Sequence, residues 1–589
     1  MRPAAPAGRG RAAAVWSGSG RRALVVAFSG PAVLVATGVA MLAWTWRAWP
    51  DPLVDFGREL YVAWRLAEGD ALYADVAWFN GPLSAHANAI LFRLFGPGLS
   101  VLAWSNALVL AASVGMVYAL ISRVMDRLTA TVAGLVFLLV FAFGQYVGIA
   151  NYNWIAPYSH EVTHGLGLAL ASLVALERWV RTEASWALAL GGMAFGLCFL
   201  TKPEPFAAAF VASAVLLAPA LWRRDARSLA LFVGVALLPV AASAVLVGLA
   251  GTLGAWPSVI AGDVAGLRFY RAGMGFDEPV LRMAEVAAWS SIWLLTLAPA
   301  LGLAWLARDT RGPAFPLFAG VASLLVLLAV ADMQDWSESV RPLALVSLVA
   351  IATLMVIRWR GDRTNGNLLA IALAAFAFTH LLKMVLDVRV SHYGFALALP
   401  AALVAVTALS GWLPRWLDAR GSRGDVFRAC TFALLAVFAA RHLEETRSRL
   451  ERKTEWVGEE RDAFRSDARG ILVNGAVARV RQSGAGSLAV LPQGVLINYL
   501  ARTPASTPFV TFMPPEEILF GEDAWIDGFR ASPPDLVLIV PTDASEYGRG
   551  SFGVGFGRSL AAWVRSEYLP VEEVRPVGAP FGVELLVPR

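Results

Sequence analysis

Asp55 and Glu59 stand four residues apart in the mixed-polarity run DPLVDFGRELYVAWRLAEGDALYADVAWFNGPLSAHANAILFRLFG, Asp51 to Gly96. On a helix that spacing puts both carboxylates on one face. A carboxylate partly withdrawn from water gains proton affinity and can act as a base on a hydroxyl. Lys202, Arg268, Arg271, Arg389 and His392 form a second set, cationic or ionisable side chains near the ends of apolar runs, where fixed donors could hold an anion such as a phosphate. His160, Glu161 and His164 form a third. Histidines at i, i+4 permit metal binding, but two ligands without a third do not make a zinc site. Simpler roles stand beside each of these. Asp55 can complement a helix N-terminus, Glu59 can pair with Arg58 or Arg65, Glu161 can sit in a solvated loop, and Lys202 can snorkel to an interface. Lys383 and Asp387 can form a helix-end bridge just before Arg389.

The elements that must position these groups follow from composition. The chain has 589 residues, 57% hydrophobic and 16% charged, with a mean hydropathy of +0.59, which excludes an ordinary water-soluble domain and a disordered chain. A net charge of +5 is too slight for a nucleic-acid partner. Apolar runs near twenty residues, each able to cross roughly 30 Å of hydrocarbon as a helix, occupy about 23–45, 100–121, 129–149, 163–177, 185–201, 204–221, 229–250, 286–306, 314–331, 340–357, 368–386, 394–412 and 427–441, thirteen in all. The expected fold class is a polytopic α-helical membrane protein with a C-terminal extracytoplasmic α/β domain. The division falls at residue 442, because residues 443–589 carry 36 charged side chains against 57 in the whole of 1–442. Cys198 and Cys430 both lie in apolar runs, so no disulfide staples the soluble part.

Basic residues set the orientation, since Lys and Arg are retained on the cytoplasmic side. Arg2 to Arg22, Arg123/Arg127, Arg178/Arg181, Arg223/Arg224/Arg227, Arg308/Arg311, Arg358/Arg360/Arg363 and Arg415/Arg420/Arg423/Arg428 fall on alternate loops, all on one side. The N-terminus is then cytoplasmic, and the loops 46–99, 150–162 and 251–285 and the tail are extracytoplasmic, periplasmic in a bacterial inner membrane. The first run could alternatively be the core of a cleaved signal peptide. In the tail, SLAVLP, PFVTFM, DLVLIVP and VELLVP read as strands and 443–482 and 556–567 as helical. FGVGFG at 552–557 reads as a surface loop rather than a phosphate loop, lacking a strand-to-helix context.

The acidic residue just after the first span, the run Glu59, Tyr61, Ala63, Arg65, Gly69 and Tyr73, then GPL at 81–83 and LFRLFG at 91–96 resemble the first periplasmic loop of the GT-C glycosyltransferases, closest to the bacterial protein-mannosyltransferase-like group, family 39 in the broad sense. NYNWIAPYSHE at 151–161, LTKPE at 200–204 and RVSHYGFALALP at 389–400 add to the resemblance. It implies transfer of a sugar, with inversion, from a polyprenyl-phosphate donor to an acceptor of unspecified class at the extracytoplasmic face, with Asp55 as general base or acceptor-orienting group. Glu59 is the candidate second carboxylate. Lys202, Arg268, Arg271, Arg389 and His392 are the candidates for the donor phosphate, and Tyr152, Trp154, Tyr158, His160 and Glu161 for sugar or acceptor. The aromatic residues, with Trp49 and Trp78, also fit an interfacial belt. The adjacent acidic pair or DxD common in these enzymes is absent, leaving DFGRE at 55–59, so a divalent cation (Mg or Mn) stays open as cofactor. The rival expectations are a transporter or flippase for a lipid-linked or anionic solute, which calls for charges deep in mid-span where this chain has few, and a noncatalytic assembly protein whose tail recruits partners.

Overall fold

The computed structural model describes residues 18–251, 274–310 and 312–589. Among them each of the thirteen apolar runs is met by a helix. Seven helical stretches are long and apolar enough to cross a membrane, Leu99–Val124, Pro203–Arg223, Ala226–Leu249, Pro279–Asp309, Trp336–Trp359, Gly394–Asp418 and Gly424–Glu451, and shorter apolar helices lie between them, among them Ser29–Trp44 and Asn365–His380. Their outer faces leave Leu237, Leu238, Leu294, Leu295, Leu325 and Val326 exposed. In water such a surface would aggregate, whereas hydrocarbon requires it. The chain is a polytopic helical membrane protein.

Polar bonds gather the arginine-rich turns at one end of the bundle. Arg428 reaches Asp126 at 2.6 Å, Arg423 donates to the Thr310 carbonyl at 2.7 Å, Arg223 lies 3.5 Å from Glu183, and Asn365 donates to the Val180 carbonyl at 3.4 Å. At the other end the first loop folds as two helices, Phe56–Glu68 and Pro82–Phe95.

Beyond the membrane helices come a short antiparallel pair, β1 (Glu455–Val457) and β2 (Phe464–Ser466), a helix Arg469–Ser483, and a four-stranded sheet. Its strands are β3 (Leu488–Leu491), β4 (Leu536–Ile539), β5 (Tyr568–Val574) and β6 (Val583–Pro588), in the order β3-β4-β6-β5. β3 and β4 run parallel, and the β4/β6 and β6/β5 pairs antiparallel. The C-terminal part departs from the expected pattern in three places. PFVTFM is not a strand: prolines flank it, and it runs as a loop tied to the cis-proline turn by Phe512 N–H donating to the Pro492 carbonyl at 2.7 Å. β5 escaped notice because its sequence YLPVEEV is that of a solvated edge strand, with a proline and two acidic residues. The helical stretch expected over 443–482 is also interrupted, by the β1/β2 pair.

The C-terminal part is welded to the first loop. Ala505 N–H donates to Tyr61 Oη at 2.8 Å, Ala77 N–H to the Pro508 carbonyl at 3.0 Å and Ser100 N–H to the Arg461 carbonyl at 3.0 Å. Gly57 lies so close to the Leu496 backbone that a Cβ would meet its nitrogen at 2.6 Å. One continuous core contains Phe56, Leu60 and Phe92 from the loop with Leu496 and Tyr499 from the tail.

Candidate active site

Where the first loop, the membrane-helix ends and the C-terminal part meet, they enclose a cavity of about 1160 Å³. Its floor is the start of the Pro203–Arg223 helix (Lys202, Glu204, Ala207), the turn after Asn365–His380 (His380, Lys383), and Tyr152, Tyr158 and Tyr393. One side is Leu53, Asp55, Arg58 and Phe79, and the far wall is Thr511, Met513, Glu516, Thr542, Glu546 and Tyr547 from the C-terminal part.

Asp55 faces this cavity with a backbone that few residues adopt. Its φ of 54° and ψ of −60°, with Phe56 N–H donating to the Val54 carbonyl at 2.7 Å, describe the rare, strained form of the γ-turn. Such conformations cost on the order of 1–3 kcal/mol and collect at functional sites. The side chain makes no capping bond to the helix it precedes, so capping does not account for it. Asp51 orders the turn instead, accepting from Leu53 N–H and Val54 N–H at 3.0 Å each and from Arg469 of the C-terminal part at 2.9 Å. Removal from bulk water raises the Asp55 proton affinity above the ordinary carboxyl value, Arg58 and Lys202 working against the shift and Asp51 with it.

Glu59 does not share that face. Asp55 is outside the helix, its reversed φ ending the helical register before it, so the four-residue spacing carries no geometric meaning. Glu59 is 2% exposed and points into the protein, where Oε2 accepts from His160 Nδ1 at 2.8 Å. Asn106 donates to His160 Nε2 at 2.8 Å, so both ring nitrogens are engaged. Burial pushes the Glu59 carboxyl up to about 7, the Arg58 charge opposing it. Glu161 is likewise buried, accepting from Ser159 Oγ at 2.6 Å. None of the three lines the cavity, and Glu161 is not in a solvated loop. Glu59→Ala removes the partner of a buried imidazole N–H. A loss of about 1–3 kcal/mol in unfolding free energy is expected, read as a lower melting temperature in detergent.

Lys202 is 8% exposed, faces the cavity and places Nζ 5.2 Å from the centre of the Tyr158 ring. No carboxylate lies within ion-pair distance of it among the described residues. Its turn is fixed by Gly81 N–H to the Thr201 carbonyl at 2.9 Å and Leu83 N–H to the Leu200 carbonyl at 3.1 Å. Gly81 approaches so closely that a Cβ would lie 2.2 Å from the Leu200 oxygen. Lys383 pairs with Glu204 at 2.8 Å, not with Asp387 four residues on. Asp387 binds Arg341 instead, and Arg389 at 3.0 Å, so Arg389 already holds a carboxylate. His392, also at positive φ (51°), packs edge-on against Tyr152 with ring centres 4.9 Å apart. Neither Arg389 nor His392 is part of the cavity lining. Arg268 and Arg271 lie outside the described residues.

Tyr152 and Tyr158 form part of the cavity wall, whereas Trp154 is fully buried against Phe137. Trp49 and Trp78 are 2% and 3% exposed, so these two are core residues rather than an interfacial belt. Arg58, Glu204, Glu516 and Glu546 were not among the expected site residues. The last two are brought in by the C-terminal part, and FMPPEE carries no sequence pattern that announces it. Gly557 N–H in the FGVGFG loop donates to Glu517 at 3.3 Å, so a carboxylate takes the place a phosphate would need.

A divalent cation finds no matching ligand set among the described residues: no group of three or more His, Cys, Asp or Glu side chains converges, and the His160 ring is spent on Glu59 and Asn106.

No protein-family model matches the chain, and no curated protein matches it. Solved structures do. Archaeoglobus fulgidus oligosaccharyltransferase tethered to an acceptor peptide is 13% identical, covering 95% of this chain and 74% of its own, with a TM-score of 0.49. ArnT from Cupriavidus metallidurans bound to undecaprenyl phosphate is 15% identical, covering 95% of this chain and 98% of its own, with a TM-score of 0.45.

Proposed function

We propose that the protein is a GT-C-type membrane glycosyltransferase that moves a sugar from a polyprenyl-phosphate donor to an acceptor hydroxyl in this cavity, on the extracytoplasmic side of a bacterial inner membrane. The observation that carries the reading is the pairing, on one cavity, of a strained carboxylate with raised proton affinity, Asp55, and a buried cation without a carboxylate partner among the described residues, Lys202. A buried, unpaired ammonium is costly, and an anionic ligand is what would offset it. Lys202 is the N-cap of the Pro203–Arg223 helix, which adds the positive end of a helix dipole. The first-loop resemblance and the placing of arginines at the opposite end of the bundle support the family and the orientation.

The acceptor oxygen attacks the anomeric carbon on the face opposite the phosphate as its proton passes to an Asp55 carboxylate oxygen. The bond from the anomeric carbon to the phosphate oxygen breaks, and its electron pair leaves on the lipid phosphate, where Lys202 stabilises the charge. The configuration inverts.

Supplying labelled polyprenyl-phosphate monosaccharide to membranes containing the protein tests this. Label passing from the donor lipid to any new product, soluble, macromolecular or lipid, with release of polyprenyl phosphate, supports transfer. Intact donor moved across reconstituted vesicles without product would instead indicate a transporter, and neither change would indicate an assembly role.

A further inference from the structure

Glu516 reaches the cavity from the C-terminal part, on the short helix Pro514–Phe520. Its side chain is 7% exposed, and Oε1 lies 3.6 Å from Arg58 Nη1. The same guanidinium offers Nη2 to Asp55 Oδ1, at 3.9 Å. It is fixed between them by aromatic faces, 5.0 Å from the Phe79 ring centre and 5.7 Å from that of Trp78. Glu516 Oε2 has no hydrogen-bond partner among the described residues. Arg58 is therefore shared between two carboxylates and forms a close, charge-assisted bond, about 2.8 Å, with neither.

That sharing matters to a base. An arginine that closes fully onto a carboxylate stabilises its charged form and weakens it as a proton acceptor. Asp51 in its own loop, Glu59 on the following helix and Lys202 from the floor also act on Asp55, and the Glu516 and Asp55 carboxylates repel each other directly. Glu546 acts from the far wall, and Glu161 bears on Arg58 from behind. Among the described residues Glu516 is the carboxylate that meets Arg58 from across the cavity.

We propose that Glu516 is a positioning residue for the transfer reaction: it holds Arg58 off Asp55, so that a side chain of the C-terminal domain leaves Asp55 free to take the acceptor's proton. This rests on Asp55 being the base. The role differs from that of a mere packing residue, since most of its effect on Asp55 passes through Arg58 and is lost when Arg58 is, leaving the smaller direct repulsion between the two carboxylates.

The test titrates Asp55 without turnover. Dicyclohexylcarbodiimide reacts with the protonated carboxyl, and its adduct on the Asp55 peptide is measured by mass spectrometry across pH in the full-length protein. In Glu516→Gln, nearly isosteric with the native side chain, the labelling midpoint is expected to fall by about half a pH unit or more. In an Arg58→Met background the same Glu516→Gln change is expected to shift the midpoint by less than half as much. An unchanged midpoint in Glu516→Gln, or an equal fall in the Arg58→Met background, overturns the proposal. The acid limb of the transfer rate should move with the midpoint. A labelling shift in a protein that transfers no sugar would leave the Glu516–Arg58–Asp55 coupling standing and remove the catalytic reading instead.

Discussion

Asp55→Asn is expected to lower sugar transfer by about three orders of magnitude, within the 10²–10⁴-fold range typical of a lost general base, while the protein folds and binds donor as before. The separation of activity from stability follows from the geometry. The Asp55 side chain makes no capping bond and its pairing with Arg58 is a loose one at 3.9 Å, so asparagine removes little structural contact, and asparagine tolerates positive φ better than most residues. In the native protein the rate should fall with acidification through the raised Asp55 value, since the base must be unprotonated to act. The residual activity of the asparagine variant should lack that limb. Full activity in Asp55→Asn, measured in the same membranes, would remove Asp55 from the mechanism.

Lys202→Met carries the second large effect, with opposite signs on binding and folding. The methionine keeps most of the stem that packs along Tyr158 and deletes the charge. Losing a charge-assisted contact worth about 1.5–3 kcal/mol should weaken donor binding by roughly 10–150-fold, seen as a higher KM for polyprenyl-phosphate sugar. Removing a buried ammonium that has no carboxylate partner should leave the melting temperature in detergent unchanged or raise it. A substitution that merely damaged packing would lower both. Unaltered donor KM in a stable Lys202→Met protein would show that the phosphate sits elsewhere.

The membrane helices were legible in the sequence because length and apolarity alone determine whether a segment can cross a bilayer, so each run met a helix even where its limits moved by several residues. The ties among the turns of Arg223, Arg423 and Arg428 match the alternation of basic loops in the sequence. The site was only half legible. Asp55 and Lys202 were recognisable as ionisable groups at the ends of apolar segments, where charge is expensive. Glu59 was misassigned to the Asp55 face because a spacing rule for helices was extended across a residue that leaves the helix, and a positive φ at an aspartate has no sequence signature. Arg389 was already held by Asp387, two residues back in the same turn, a pairing that the four-residue helix rule does not reveal. Glu516 was beyond reach for another reason: only the docking of the C-terminal part on Gly57 and Tyr61 brings it to the first loop, and no local pattern encodes a contact made over so long a stretch of chain.

The central claim is that Lys202 holds a lipid phosphate inside the cavity that Asp55 overlooks. Photolysis of purified protein with a polyprenyl phosphate bearing a diazirine on its first isoprene unit, followed by peptide mapping, tests it most directly. Adducts confined to cavity-wall segments, those around Tyr158, Ala207 and Tyr393, abolished by Lys202→Met and retained in Asp55→Asn, are the predicted result. Adducts spread over the outward faces of the membrane helices and indifferent to Lys202→Met would contradict it.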